Sequence, residues 1–232
     1  MERNRKLAVE FIGTFIFAFT VGMATEKATG AGPLAPLAIG FVLMVMVFAG
    51  GHISGGHYNP AVSTGVLIRG KMTPPEWVGY VVVQFVAAAL GGLLARGIGG
   101  HETAAHVLGT GKIFVSELVY TIALVYVVLN VATARGTEGN SFYGLAIGGT
   151  VLVGAFAVGG VSGAGFNPAI ALGASITGVF NWSHYWVYLV APLVGAVLAA
   201  GAFLFVQPEE KVTGDMQAAA ASAGEHRPGT PP

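Results

Sequence analysis

The chain has 232 residues, of which 54% are hydrophobic and only 9% charged, far below the roughly 25% charged residues of a soluble domain. Eleven Lys and Arg balance eleven Asp and Glu, which leaves no basic footprint for nucleic acid, and the lack of cysteine excludes disulfides and thiolate metal sites. These features predict an all-α integral membrane protein, and 36 glycines without a collagen period fit close helix packing.

The first segment, basic at Arg3, Arg5 and Lys6 and apolar over 7–24, looks at first like a secretory leader. Its length, its internal Glu10 and the five further apolar segments that follow point instead to a retained first span. The six stretches long enough to cross a bilayer are 7–24, 33–50, 77–98, 113–133, 142–158 and 185–206.

Between the second and third spans lies Asn59-Pro60-Ala61, and between the fifth and sixth lies Asn167-Pro168-Ala169. From 59 to 167 the displacement is 108 positions, and the same displacement carries Ile39 onto Ile147, Gly40 onto Gly148 and Tyr80 onto Tyr188. The chain is therefore two related halves, 7–98 and 113–206. Asn is a strong helix N-cap and Pro suits the first helical position, so each tripeptide is expected to start a helix. The apolar runs that follow, 61–68 and 169–176, span roughly half of a bilayer core at about 1.5 Å per residue. With three spans per half, the second half enters the membrane from the opposite face, and the repeat is inverted.

Placing the N-terminus inside assigns Arg3, Arg5, Lys6, Arg69, Lys71, Arg135, Lys211 and Arg227 to the cytoplasm and Lys27, Arg96 and Lys112 to the outside, which favours cytoplasmic termini. The two half-helices then enter from opposite faces and bring Asn59 and Asn167 together near the midplane. Irregular backbone at that depth must be buried in protein or line a wet cavity. The intramembrane acids Glu10 and Glu117 each begin a span on the side of their own half's loop, and are expected to accept hydrogen bonds from loop N–H groups.

Trp77, Tyr80, Trp182, Tyr185, Trp186 and Tyr188 cluster where the third and sixth spans begin and are expected to anchor them at the membrane interface. The segment 207–232 has no apolar period and is expected to be a disordered cytoplasmic tail. Gly109-Thr110-Gly111-Lys112 fails as a phosphate loop because its last position is Ile113. His52 with His57, and His101 with His106, are five apart, a poor spacing for metal ligands. No nucleophile, base and acid are assembled, so neither catalysis nor a cofactor is expected, and His57 is expected to bond within its loop and touch the pore.

The paired Asn-Pro-Ala motifs, the stretch from Gly51 to His57, Glu10 in Ala8-Val9-Glu10-Phe11 and Glu117 together resemble the major intrinsic protein family, the aquaporins and aquaglyceroporins, over about residues 7–206. The resemblance implies six tilted helices, two half-helices meeting at mid-membrane, one pore per subunit, a homotetramer in the cell membrane and passive conduction of water and small uncharged solutes. In water-selective members an arginine follows the second tripeptide, whereas here that position is Ile170. Carrying the other constriction positions across gives Ile39, Ala155 and Ala164, so that all four side chains are apolar. A pore so lined is expected to admit glycerol, urea, ammonia or hydrogen peroxide as well as water. The acid that usually follows the arginine of glycerol-conducting members is absent, being Ala171 here, so glycerol selectivity is not supported. The alternatives are a wide channel mainly for those solutes, or a poorly conducting structural membrane protein.

Overall fold

The computed structural model describes residues 1–27, 30–99 and 109–211. These form six long helices, α1 (Glu2–Ala24), α2 (Ala35–Ser54), α4 (Pro74–Gly99), α5 (Thr110–Thr133), α6 (Tyr143–Ser162) and α8 (Tyr185–Val206), with two short ones, α3 (Pro60–Ile68) and α7 (Pro168–Ile176). All six long helices are long and apolar enough to cross a membrane. The described residues contain no strand.

Several helices overrun the apolar stretches that announce them. A hydropathy pattern sees only the hydrocarbon depth, whereas the backbone ladder continues through Glu2, Arg3 and Arg5 at the start of α1. At the ends of α2 and α6 the helix stops where the chain turns left-handed, at Gly55 (φ 91°) and Gly163 (φ 84°). These are repeat-related glycines at the position where a missing Cβ makes that conformation cheap.

The bundle follows the repeat. In the first half α1 packs on α4, in the second α5 packs on α8, and α2 crosses onto α6 between the halves. That crossing is close because repeat-related glycines face each other. A Cβ on Gly40 would lie 2.4 Å from the Leu152 Cβ, and one on Gly148 would lie 2.6 Å from the Gly40 carbonyl oxygen. Gly148→Val is expected to lower stability by about 1–3 kcal/mol through overpacking, read as a lower melting temperature of the detergent-solubilised protein. The bundle's outer surface is apolar, with Val82, Leu93, Val153 and Leu198 about half exposed, as lipid contact requires.

Three expectations need correction. Tyr80 and Tyr188 are 2% and 4% exposed and donate their hydroxyls to the carbonyls of Ser54 and Ser162. They fasten the re-entrant loops and are not interface anchors, while Trp182 and Trp186 stay exposed. Arg69, counted among loop charges, is 2% exposed. The expected tail also begins too early, because Pro208–Glu210 forms a helical turn with Glu210 buried. Residues 212–232, like His101 and His106, lie outside the described residues.

Candidate functional site

Each Asn-Pro-Ala begins a nine-residue helix for the local reasons visible in its residues. Asn59 Oδ1 accepts from Ala61 N at 2.8 Å, and Asn167 Oδ1 accepts from Ala169 N at 3.0 Å and Ile170 N at 3.2 Å, with Pro60 and Pro168 at the first helical position. The two half-helices enter from opposite ends and meet at these N-termini. Each directs the equivalent of roughly half a positive charge at the meeting point.

The meeting is a reciprocal clasp. Asn59 Nδ2 donates to the Phe166 carbonyl at 2.9 Å, and Asn167 Nδ2 donates to the Tyr58 carbonyl at 2.8 Å. An amide nitrogen has two hydrogens, so one hydrogen of each Asn is committed across the repeat and one remains for the pore. Tyr58 (φ 48°) and Phe166 (φ 45°) hold left-handed backbone, which costs a residue with a Cβ about 1–2 kcal/mol. Their carbonyls are thereby turned toward the opposite Asn.

The buried acids hold these turns. Glu10 accepts from Ser54 Oγ (2.7 Å) and His57 N (2.9 Å) on one oxygen and from Tyr58 N (2.7 Å) and Gln84 Nε2 (2.9 Å) on the other. Glu117 accepts from Gly165 N (3.0 Å) and Phe166 N (2.5 Å). Both glutamates are fully buried, and each gives its loop's inward-turned N–H groups a carboxyl acceptor at a depth where water cannot. Gln84 Nε2 also donates to Ser63 Oγ at 3.1 Å, and Ser63 Oγ lies 3.0 Å from His57 Nδ1. The C-terminal ends of the half-helices meet arginines: Arg69 caps α3, and Arg96 donates to the Ile176 carbonyl of α7 at 3.1 Å.

Among the described residues, three of the cavities lie along the bundle. A cavity of about 560 Å³ on the face carrying the chain's described ends is lined by His57, Lys71, Tyr80 and the segment between α5 and α6. A cavity of about 10 Å³ at the centre is bounded by His57, Asn59 and Asn167 among apolar side chains such as Phe17, Leu43, Leu124 and Val151, and is about the size one water needs. The third, about 540 Å³, opens on the opposite face and is lined by Ile39, Ala155 and Phe156. Ile39 and Ala155 sit one helical turn from Leu43 and Val151, so the last two cavities face each other along α2 and α6.

The four carried-over constriction residues, Ile39, Ala155, Ala164 and Ile170, are all buried and belong to one apolar cluster. Ile39 and Ala155 line the cavity on the opposite face, whereas Ala164 and Ile170 line none of the three. The apolar residues of the central cavity went unread in the sequence, although a signal was present: Leu43 and Val151 are themselves separated by the repeat displacement. Among the described residues no three His, Asp or Glu cluster to hold a metal ion.

Comparison with known proteins places these features in context. The family model described as "Major intrinsic protein" matches residues 1–204. The chain is 38% identical over 217 residues to "Aquaporin TIP4-2" of Zea mays, covering 84% of this chain and 82% of that one. It is 37% identical over 210 residues to "Glycerol uptake facilitator protein-like 6" of Lactiplantibacillus plantarum, covering 84% and 95%. In fold it is similar to the aquaglyceroporin of Plasmodium falciparum seen by X-ray crystallography, with a TM-score of 0.73 at 23% identity over 87% of this chain and 95% of that one.

Proposed function

Because the chain belongs to the major intrinsic protein family, and so forms a membrane channel for water and small solutes and not an enzyme, we propose that it conducts passively and discriminates by size and charge through an apolar constriction at Ile39, Ala155, Ala164 and Ile170. The observation that carries this reading is the residue set itself: two isoleucines and two alanines, with no hydrogen-bond donor and no fixed charge on any side chain. Water, ammonia, hydrogen peroxide, urea and glycerol then pass according to size. That relatives at nearly equal identity include one named an aquaporin and one named "Glycerol uptake facilitator protein-like 6" supports a filter that admits both kinds of solute.

Ions are excluded by the centre. The two half-helix N-termini repel cations. A water between Asn59 and Asn167 accepts the one free N–H of each, so its own hydrogens point away along the pore and it is a poor proton relay. Glu10, Glu117 and the loop histidine His57 support this geometry. The excess of Lys and Arg on the face bearing the chain ends supports cytoplasmic termini. A homotetramer in the cell membrane is proposed from the family alone, since Gly91, Gly92 and Gly195 pack against α1, α7 and α5 within the subunit. Solute flux in reconstituted vesicles is expected to rise linearly with concentration, without saturation and without dependence on a sodium or proton gradient. Saturation at millimolar solute, or gradient coupling, would point to a carrier.

A further inference from the structure

Tyr58 directly precedes the first Asn-Pro-Ala, yet it is fully buried and lines none of the three cavities. Each of its polar groups meets a different part of the molecule. The N–H donates to Glu10 Oε2 of α1 at 2.7 Å, and the phenol hydroxyl donates to the Met46 carbonyl of α2 at 2.9 Å. The remaining group, its own carbonyl, accepts from Asn167 Nδ2 of the opposite half at 2.8 Å. The side chain reaches Met46 through a slot that two glycines keep open. A Cβ on Gly13 of α1 would overlap the ring, and one on Gly50 of α2 would overlap the hydroxyl oxygen. Met46 lies inside α2, where its carbonyl already serves the helical ladder. A carbonyl has two lone pairs, and the second is left for the phenol.

A residue held at its N–H and at the far end of its ring has little freedom left about the bonds that aim its carbonyl. The backbone is thereby kept at φ 48°, a conformation that is costly for tyrosine. The second half is built differently. Phe166 has the same left-handed backbone and offers its carbonyl to Asn59, but it has no hydroxyl, and its ring stacks on Tyr120 with centroids 5.3 Å apart. The clasp is therefore unequal. Asn59 meets a carbonyl whose residue is held by Glu117 and by packing, whereas Asn167 meets one whose residue is also tethered through a side-chain hydrogen bond.

We propose that Tyr58 is a positioning residue for the ion barrier: its hydroxyl, anchored on Met46, aims the Tyr58 carbonyl at Asn167 and so fixes the direction in which the free N–H of Asn167 enters the pore. The inference rests on the reading that the free N–H groups of Asn59 and Asn167 orient the central water. Without the tether, the Tyr58 carbonyl moves off its line to Asn167 and the amide turns with it. Water passage needs only room and is kept. Proton exclusion needs a fixed orientation and is weakened.

The test uses Tyr58→Phe, which removes the hydroxyl and leaves the ring in its slot, in proteoliposomes of equal protein content. Loss of this one hydrogen bond is expected to raise proton leak by about threefold, while osmotic water permeability changes by less than about 1.5-fold. Because Tyr58 acts through Asn167, the same substitution is expected to add nothing in an Asn167→Asp background, which has no Nδ2 to aim. In an Asn59→Asp background it is expected to add its threefold again, since sites that do not share a partner combine independently. A merely structural tyrosine would lower water and proton conduction together and act equally in both backgrounds. Unaltered leak in Tyr58→Phe overturns the proposal, as does an equal effect in the two backgrounds. If neither Asn59→Asp nor Asn167→Asp leaks more than the wild type, the reading of the asparagines as the barrier fails and takes Tyr58 with it. Leaky asparagine variants beside a Tyr58→Phe channel that behaves as wild type overturn the role of Tyr58 alone.

Discussion

Ile170→Arg is expected to cut glycerol permeability by more than about tenfold, a rise in barrier of about 1.4 kcal/mol or more, while water permeability changes by less than about threefold. Ile170 is 3% exposed, lies in the first turn of α7, and its backbone N–H is already bonded to Asn167. Arginine there replaces an apolar side chain with a longer one bearing five donors. The neighbouring half-helix N-terminus is positive, so the guanidinium is driven away from it toward the pore axis. A narrower, donor-lined passage still suits water, but a three-carbon solute meets both the lost width and the lost apolar wall. Reswelling of vesicles in glycerol measures the change. An Ile170→Arg channel that passes glycerol as fast as the wild type would remove Ile170 from the constriction, a result made informative by the fact that Ile170 lines none of the three cavities.

Asn59→Asp and Asn167→Asp are expected to open the channel to cations. Aspartate keeps an N-cap oxygen, so the bonds from Ala61 N and from Ala169 N survive and the half-helices still start where they do. Two things are lost: the bond across the repeat, to the Phe166 carbonyl in one variant and the Tyr58 carbonyl in the other, and the positive character of the meeting point. A unit negative charge 4 Å from a cation lowers its energy by about 4 kcal/mol at an effective dielectric constant of about 20. This more than offsets one helix end's roughly half charge. Even a fraction of that effect is expected to raise proton or sodium leak at least about tenfold, measured with a pH-sensitive dye inside vesicles clamped by a potassium ionophore. Leak at the wild-type level in both variants would place the ion barrier elsewhere, and with Ile at position 170 there is no arginine to assume it.

Much of this architecture is legible in the residues because its determinants are local. A proline after an asparagine sets a helix start, a run of eight apolar residues sets a half-span, and a doubled motif sets the repeat. What was misread depends on partners distant in sequence. Tyr80 and Tyr188 have the composition of interface anchors, and only the return of the chain at Ser54 and Ser162 reveals their acceptors, 26 residues away in each half. Arg69 followed by Gly70 and Lys71 has the form of an ordinary cytoplasmic turn, and its burial depends on Glu210, beyond the last span. The clasp between the two asparagines and the facing carbonyls requires left-handed backbone at Tyr58 and Phe166. No propensity announces that conformation for aromatic residues, since Glu10 and Glu117 impose it from other helices.

The measurement that bears most directly on the apolar constriction is stopped-flow light scattering on proteoliposomes of the wild-type chain, first in sucrose and then in glycerol, beside protein-free vesicles. A channel filtered by Ile39, Ala155, Ala164 and Ile170 is expected to shrink the vesicles rapidly in sucrose and, after shrinkage in glycerol, to reswell them rapidly. Rapid shrinkage with no faster reswelling than in protein-free vesicles would contradict the account, because the pore would then be narrow enough to exclude glycerol without a donor or a charge on any of those four side chains.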